Sequence, residues 1–239
     1  MKKQLLHLSA FLLALFLMSS CFFLGPSIKG NGIVTTEYRE IGEFDKIKVS
    51  TGLKVMLVQS EKNLVKVVAD ENLHEVIRTE LKRGELTVFA DARIKKSREL
   101  LVTVEFTNLE ELRSTAGAQV GSDGMLRIKR LVTKASAGSQ QKLQLHTQTL
   151  EAKASAGSQI RLSGESREAS LTASSGAQLN AEKLDVRQCK ADVSSGAHIY
   201  VEVSEDFEGE ASSGGQIYYS GSPSTVDTST SSGGNISKK

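Results

Sequence analysis

Seven times in its C-terminal half the chain repeats one short phrase. The phrase reads Ser114-Thr-Ala-Gly-Ala-Gln119, then Ser-Ala-Gly-Ser-Gln ending at Gln140 and Gln159. It returns as Ser-Ser-Gly-Ala-Gln178, Ser-Ser-Gly-Ala-His198, Ser-Ser-Gly-Gly-Gln216 and Ser-Ser-Gly-Gly-Asn235. The glycines Gly117, Gly138, Gly157, Gly176, Gly196, Gly214 and Gly233 are 18 to 21 residues apart. A unit of that size cannot bury an apolar face by itself. Units must stack, and serial stacking makes a solenoid.

Aligned on the glycine, the units show a period of two. Seven positions before it stand Glu110, Leu131, Leu150, Ala169, Cys189, Phe207 and Val226. Three before it stand Ser114, Ala135, Ala154, Ala173, Val193, Ala211 and Thr230. Between these mostly apolar or small columns lie polar ones, such as Arg113, Lys134, Lys153, Thr172, Asp192, Glu210 and Ser229. Alternation of this kind predicts a strand with one buried face. Ser-x-Gly then predicts a turn, because glycine accepts positive φ and serine bonds nearby backbone. A second strand follows, with Val120, Gln141, Ile160, Leu179, Ile199, Ile217 and Ile236 inward. Gln141 breaks this column and predicts an irregular coil, with Leu143 and Leu145 turned in.

The expected fold class is all-β, a right-handed parallel β-helix of the pectin-lyase-like kind. Left-handed hexapeptide helices need a nearly fixed coil of 18, which the varying steps do not match. A calcium-binding solenoid would need Gly-Gly-x-Gly-x-Asp, and no coil carries that aspartate.

The front of the chain reads differently. Lys2 and Lys3 precede an apolar run from Leu5 to Met18, which ends in Ser19-Ser20-Cys21. That is a secretory signal with a lipoprotein cleavage pattern, too short to suit a membrane-spanning helix. Residues 1–20 are therefore expected as signal peptide and Cys21 as the lipid-attachment site, with 21–32 a tether. Residues 33–239 are expected as one continuous β-helix domain, regular from about residue 107. Strands are predicted over Phe44–Val49, Leu53–Val58, Leu64–Val68, Gly84–Phe89 and Leu101–Phe106. Asp70–Ile77 has a helical look. The spacing of Gly52, Gly84 and Gly117 predicts early coils with longer excursions.

Loss of residues 1–20 removes Lys2 and Lys3 and leaves 28 basic against 28 acidic side chains. Neutrality gives no electrostatic case for nucleic acid. With Cys21 acylated, Cys189 has no intramolecular partner, and its inward column makes it a small core hydrophobe. Phe22-Phe-Leu-Gly25 after the anchor carries no acidic sorting signal, so the outer membrane is expected, facing the periplasm or displayed at the surface.

Several segments together resemble the head GIN domain lipoproteins, an auto-transporter adhesin family common in Bacteroidota. They are Gly30-Asn-Gly32, Phe44-Asp-Lys-Ile-Lys-Val-Ser-Thr-Gly52, Val55-Met-Leu-Val-Gln59, Asp70-Glu-Asn-Leu73, Gly84-Glu-Leu-Thr-Val88 and the serial Ser-x-Gly-x-Gln turns. The resemblance spans roughly residues 30–236. It implies the same β-helix and a role in adhesion, and it supplies no catalytic residues.

The residues themselves call for no metal and no cofactor. His74, His146 and His198 stand apart in sequence, without metal-site spacing. Gly-x-Ser-x-Gly and phosphate-loop motifs are absent. Asp192 and Glu210 share an outward column on adjacent coils, which keeps a polysaccharide lyase or hydrolase as the rival reading. The most unusual exposed file is Gln119, Gln140, Gln159, Gln178, His198, Gln216 and Asn235. Stacked amides at strand spacing can bond along the axis. With Tyr200 and Tyr218 nearby, Gln159, Gln178, His198 and Gln216 form a candidate surface for a glycan or a protein. Tyr219 is expected to face inward. A purely structural scaffold is the third reading, and self-association through an open rod end is compatible with all three.

Overall fold

The computed structural model describes residues 26–239. The N-terminal part contains β1 (Ser27–Lys29), β2 (Val34–Glu40), β3 (Lys46–Val49), β4 (Lys54–Gln59) and β5 (Leu64–Asp70). It continues through β6 (Ile77–Lys82), β7 (Glu85–Ala90), β8 (Arg93–Lys96) and β9 (Leu100–Phe106). The repeats give β10 (Glu111–Ser114), β11 (Gln119–Ala135), β12 (Gln140–Ala154), β13 (Gln159–Ala173) and β14 (Gln178–Val193). They end with β15 (His198–Ala211), β16 (Gln216–Gly221), β17 (Thr225–Thr230) and β18 (Asn235–Lys238).

From β10 onward the pairing is parallel and in step with the repeat. Gln140 pairs with Gln159, Gln159 with Gln178, Gln178 with His198 and His198 with Gln216. This is the expected parallel β-helix. Alternate residues of each strand are buried, and in β12 nearly every second side chain is inside.

The Ser-Gly corners form one straight file. At each, the residue before the glycine also has positive φ, as at Ser175 (52°) and Gly176 (68°). Two successive positive φ angles are the sign pattern of a type I′ turn, closed here by Ala177 N–H donating to Ser174 O at 3.1 Å. The corners also bond to one another. Gly157 N–H donates to Ser175 O, Gly176 N–H to Ser195 O and Gly196 N–H to Ser213 O, each at 3.1 Å. The turn is thus part of the ladder rather than a break in it.

Gln141 does not disturb its column. It is 1% exposed and in register with Val120 and Ile160. Its Nε2 donates to Ser114 Oγ and Lys134 O, both at 3.0 Å, and its Oε1 accepts from Thr133 Oγ1. Leu143 and Leu145 point inward beside it, as expected.

The N-terminal coils depart from the expected order. On one side of the rod the strands run β10, β3, β7, β6, and on the other β11, β4, β9, β5, β2. The coil that turns at Gly52 therefore lies between the Gly117 coil and the β7–β9 coil, out of chain order. Gly84 is not in the corner file. It forms the two-residue tip of the antiparallel β6–β7 hairpin, with Arg83 at φ 52° and Gly84 at 75°. Such a hairpin reverses the chain. The β2–β5 and β5–β9 pairings are antiparallel too, so these elements close the rod end instead of extending it. Helix in the 70–77 segment is limited to a 3-10 turn at Glu71–Leu73.

Residues 27–32, read from sequence as tether, are ordered against the fold. β1 pairs with β8, and Gly30 N–H donates to Lys96 O at 2.8 Å. Gly32 N–H, Arg98 N–H and Glu99 N–H all donate to the Asp70 carboxylate, at 2.9, 2.9 and 3.2 Å. A Cβ on Gly30 would lie 1.9 Å from Asp70 Oδ2. Gly30-Asn-Gly32 and Asp70-Glu-Asn-Leu73 are thus two halves of one lock.

Candidate interaction surface

Each strand that leaves a corner places its second and fourth residues after the glycine on the outer face. Pairing in register lines these up along the rod. One file holds Gln119, Gln140, Gln159, Gln178, His198, Gln216 and Asn235. The parallel file holds Lys142, Arg161, Asn180, Tyr200, Tyr218 and Ser237.

Among the described residues the amides of the first file do not bond to one another. Two of them, Gln159 and Gln216, are held by the second file, two residues along the same strand. Arg161 Nη2 donates to Gln159 Oε1 at 3.0 Å, and Tyr218 Oη donates to Gln216 Oε1. The spacing that allowed an axial amide ladder is present, but at Gln159 and Gln216 stronger donors within reach take the carbonyl oxygens.

Toward the C-terminal end the face becomes aromatic. Tyr200 and Tyr218 are stacked with centroids 5.1 Å apart and planes 10° from parallel. His198 lies 6.4 Å from Tyr200, and its Nδ1 is buried without a hydrogen-bond partner among the described residues. Lys239 Nζ sits 4.7 Å from the Tyr200 centroid and 5.6 Å from that of Tyr218, a cation–π position. Lys239 also pairs with Glu182, whose carboxyl is lowered by the hydrogen bonds from Lys239 and then Asn180. Of the residues predicted from sequence, the structure joins His198, Tyr200, Gln216 and Tyr218 into one cluster. Gln178 is one coil away and Gln159 two. Tyr219 turns inward and stacks on Phe207 at 4.5 Å. Asn180 and Arg161 were readable from the same alignment. Lys239 was not, because it reaches Glu182 across 57 residues of chain. Cys21 lies outside the described residues.

A second surface feature is a groove of about 580 Å³ running across several coils ahead of the corners. Its floor dips where Ala169 and Cys189 stand in register with Leu150 and Phe207. Burial pushes the Cys189 thiol up to about 12, with Asp192 adding to the shift. A thiol so perturbed is not a nucleophile at neutral pH. The rim is charged but internally paired, with Lys190 2.6 Å from Glu208 and Gln188 Nε2 donating to Asp206 at 2.9 Å. Asp192 and Glu210 are register partners, as the alignment predicts, beside a smaller hollow of about 270 Å³.

His74 is less isolated than its sequence position implied. Its Nε2 is 3.0 Å from Thr35 Oγ1. Its Nδ1 is 3.0 Å from Glu37 Oε2 but out of line for a hydrogen bond. Arg39 takes both Glu37 oxygens at 3.0 Å and donates to Ile77 O and His74 O. The guanidinium bonds hold the Glu37 carboxyl below its usual range against the opposing effect of burial, with His74 contributing. Arg39 therefore makes this group a clamp between β2 and the 3-10 turn. Among the described residues no three His, Cys, Asp or Glu side chains converge to hold a metal.

Comparison with known proteins agrees with this geometry. A crystal structure of a putative adhesin from Bacteroides fragilis superposes with a TM-score of 0.81 at 19% identity, covering 89% of this chain and 100% of that one. A putative adhesin from Parabacteroides distasonis gives 0.73 at 19% identity, over 89% and 100% of the two chains. A putative lipid binding protein from the same species gives 0.71 at 18%, over 89% and 99%. At such identities the likeness shows the fold alone. No curated protein matches the chain. Residues 43–223 match the family model described as "Putative auto-transporter adhesin, head GIN domain", and the chain belongs to that family.

Proposed function

We propose that the protein is a non-enzymatic, lipid-anchored β-solenoid of the cell envelope, an adhesion or interaction module. The family's description as auto-transporter adhesins supports a function at the cell envelope or surface. The observation that carries the finer reading is the outward face built on His198, Tyr200, Gln216 and Tyr218. Stacked tyrosines with flanking amides suit the polar and apolar faces of a sugar, or a protein partner. Signal-type residues 1–20 and the Ser19-Ser20-Cys21 junction support acylation at Cys21, with outer-membrane attachment.

Protease treatment of intact cells tests the display. Release of the domain from whole cells supports adhesion, and protection until lysis refutes it. Binding of the Tyr200→Ala/Tyr218→Ala variant to glycan and envelope-protein arrays tests the face. Binding equal to that of the parent chain removes it from the site.

The register pair Asp192 and Glu210 favours one other reading, a polysaccharide-cleaving enzyme, because two carboxylates from adjacent coils line the smaller hollow. Incubation with a panel of uronic-acid and neutral polysaccharides decides this. New reducing ends or unsaturated products that vanish in Asp192→Asn would establish it.

A further inference from the structure

The ribbon of β1 and β8 is a two-stranded sheet apart from the main one. Ser27 pairs with Arg93, Ile28 with Ile94 and Lys29 with Lys96, with an irregularity after Ile28. Alternation turns Ile28 and Ile94 against the core, where both are partly buried. The other face presents Lys29, Arg93, Lys95 and Lys96, all exposed. Among the described residues none of these four cations forms an ion pair. Cations elsewhere on the rod commonly do, as Lys134 with Glu111, Lys153 with Glu151 and Lys190 with Glu208. Two of the nearby acids are already engaged. Asp91 lies 3.4 Å from Arg78, and Asp70 accepts three backbone N–H groups.

Charge clustering of this kind is unexpected in a chain that carries 30 basic and 28 acidic side chains overall. Its place in the fold gives it meaning. Ser27 follows Cys21 by six residues, which span at most about 20 Å when extended. We propose that the β1–β8 ribbon is a docking face for an anionic phospholipid bilayer, seating the closed end of the rod against the membrane. The distance argument rests on acylation at Cys21, while the charge and exposure of the ribbon do not. A lipid anchor and a basic patch are complementary signals, and each basic side chain at an anionic surface raises partitioning about fivefold at low salt. Four acting together give on the order of a few hundredfold, and salt weakens the effect because the screening length shortens.

The test uses the full processed chain in liposomes, labelled at Ser27→Cys with a polarity-sensitive fluorophore. Thr228→Cys, at the far end of the rod, is the control, and the buried Cys189 stays unlabelled. In vesicles of phosphatidylglycerol and phosphatidylcholine, the Ser27 label is expected to be protected severalfold from acrylamide quenching. Protection falls at 0.5 M salt, in pure phosphatidylcholine, and in the Lys29→Glu/Arg93→Glu/Lys95→Glu/Lys96→Glu variant. The Thr228 label stays open throughout, and a far-ultraviolet circular dichroism spectrum equal to the parent's reports that the variant is folded. Equal quenching at both sites in anionic vesicles overturns the proposal, as does protection indifferent to lipid charge. Stronger protection by inorganic polyphosphate than by vesicles also overturns it, since the site would then be for a soluble polyanion. Flotation with pure phosphatidylcholine vesicles reads the acyl anchor separately. A chain that fails to float there but is still protected by anionic vesicles refutes the anchor and keeps the ribbon.

Discussion

Replacing Gln141 by leucine tests whether the polar cluster inside the repeat column stabilises the rod. Leucine suits a column that holds Val120 and Ile160 on either side, so shape alone predicts little harm. Hydrogen bonding predicts otherwise. The substitution strips Thr133 Oγ1 of its acceptor and Lys134 O of its side-chain donor, while Ser114 keeps Ser139 at 2.9 Å. Thr133 is 0% exposed, so no water replaces the lost amide. A buried polar group left unpaired costs about 1–3 kcal/mol. Two such groups, less the gain from removing a buried amide, leave a loss of about 2–4 kcal/mol. Adding Thr133→Val removes one orphan with its partner and should restore about 1–2 kcal/mol. Urea unfolding of the four chains of this cycle gives the coupling from midpoints at constant slope. A Gln141→Leu chain as stable as the parent, or a cycle with no coupling, would refute the reasoning.

Two further outcomes follow from the corners and the outer ion pairs. Ser195 has φ 52°, in a region that costs a side-chain-bearing residue about 1–2 kcal/mol, so Ser195→Gly should stabilise by about 0.5–1 kcal/mol after its unfolded-state entropy. Gly196→Ala at φ 67°, with no atom near its Cβ, should destabilise by about 1–2 kcal/mol, and thermal unfolding of both variants checks the pair of signs. Glu111 is held at about 2 by the Arg113 hydrogen bonds, which outweigh burial with help from Lys134. A depressed carboxyl stabilises the fold fully above its ordinary value near 4.5 and loses that contribution as pH falls toward 2. Unfolding free energy should therefore drop less steeply between pH 4.5 and 2 in Glu111→Gln than in the parent, and parallel slopes would contradict it.

The repeats made the regular part of the fold legible, because each inward column is sampled seven times. One deviant such as Gln141 is then conspicuous, although its meaning is not. Whether an inward glutamine is satisfied depends on Ser114 and Thr133, whose hydroxyls reach it only once the coils are stacked. The N-terminal coils were legible as strands but not as an order. Gly52 and Gly84 look alike in sequence, yet one turns a coil and the other tips a hairpin. Only long-range pairing, β3 with β10 and β7, separates them. Strands β2, β6 and β8 escaped because they are polar edge strands, whose charges stand where a central strand would show apolar residues. In the candidate site the Gln and Tyr files came directly from the alignment, while the cover supplied by Lys239 did not.

A solenoid separates the positions that make its shape from those that meet a partner. Inward columns are bound by packing with the coils above and below, so a change there is felt by both neighbours. Outward files carry no such constraint, and register alone holds them straight. A run of similar residues on an outer file, such as the glutamines from Gln119 to Gln178, therefore says little about a partner, because the repeat itself places them there; Gln159 is held within its own strand by Arg161. Departures from the run say more. His198, Tyr200 and Tyr218 interrupt the polar files in adjacent coils, and the two tyrosine rings meet only because β15 and β16 stay in register. At the opposite end, the β1–β8 ribbon turns four unpaired cations to solvent in a chain that otherwise balances its charges. The two features lie near opposite ends of the stacking order, one on β1 and β8 and one on β15 and β16. A rod seated by its basic end would hold the tyrosine face away from the membrane, and that separation is what an anchored interaction module requires.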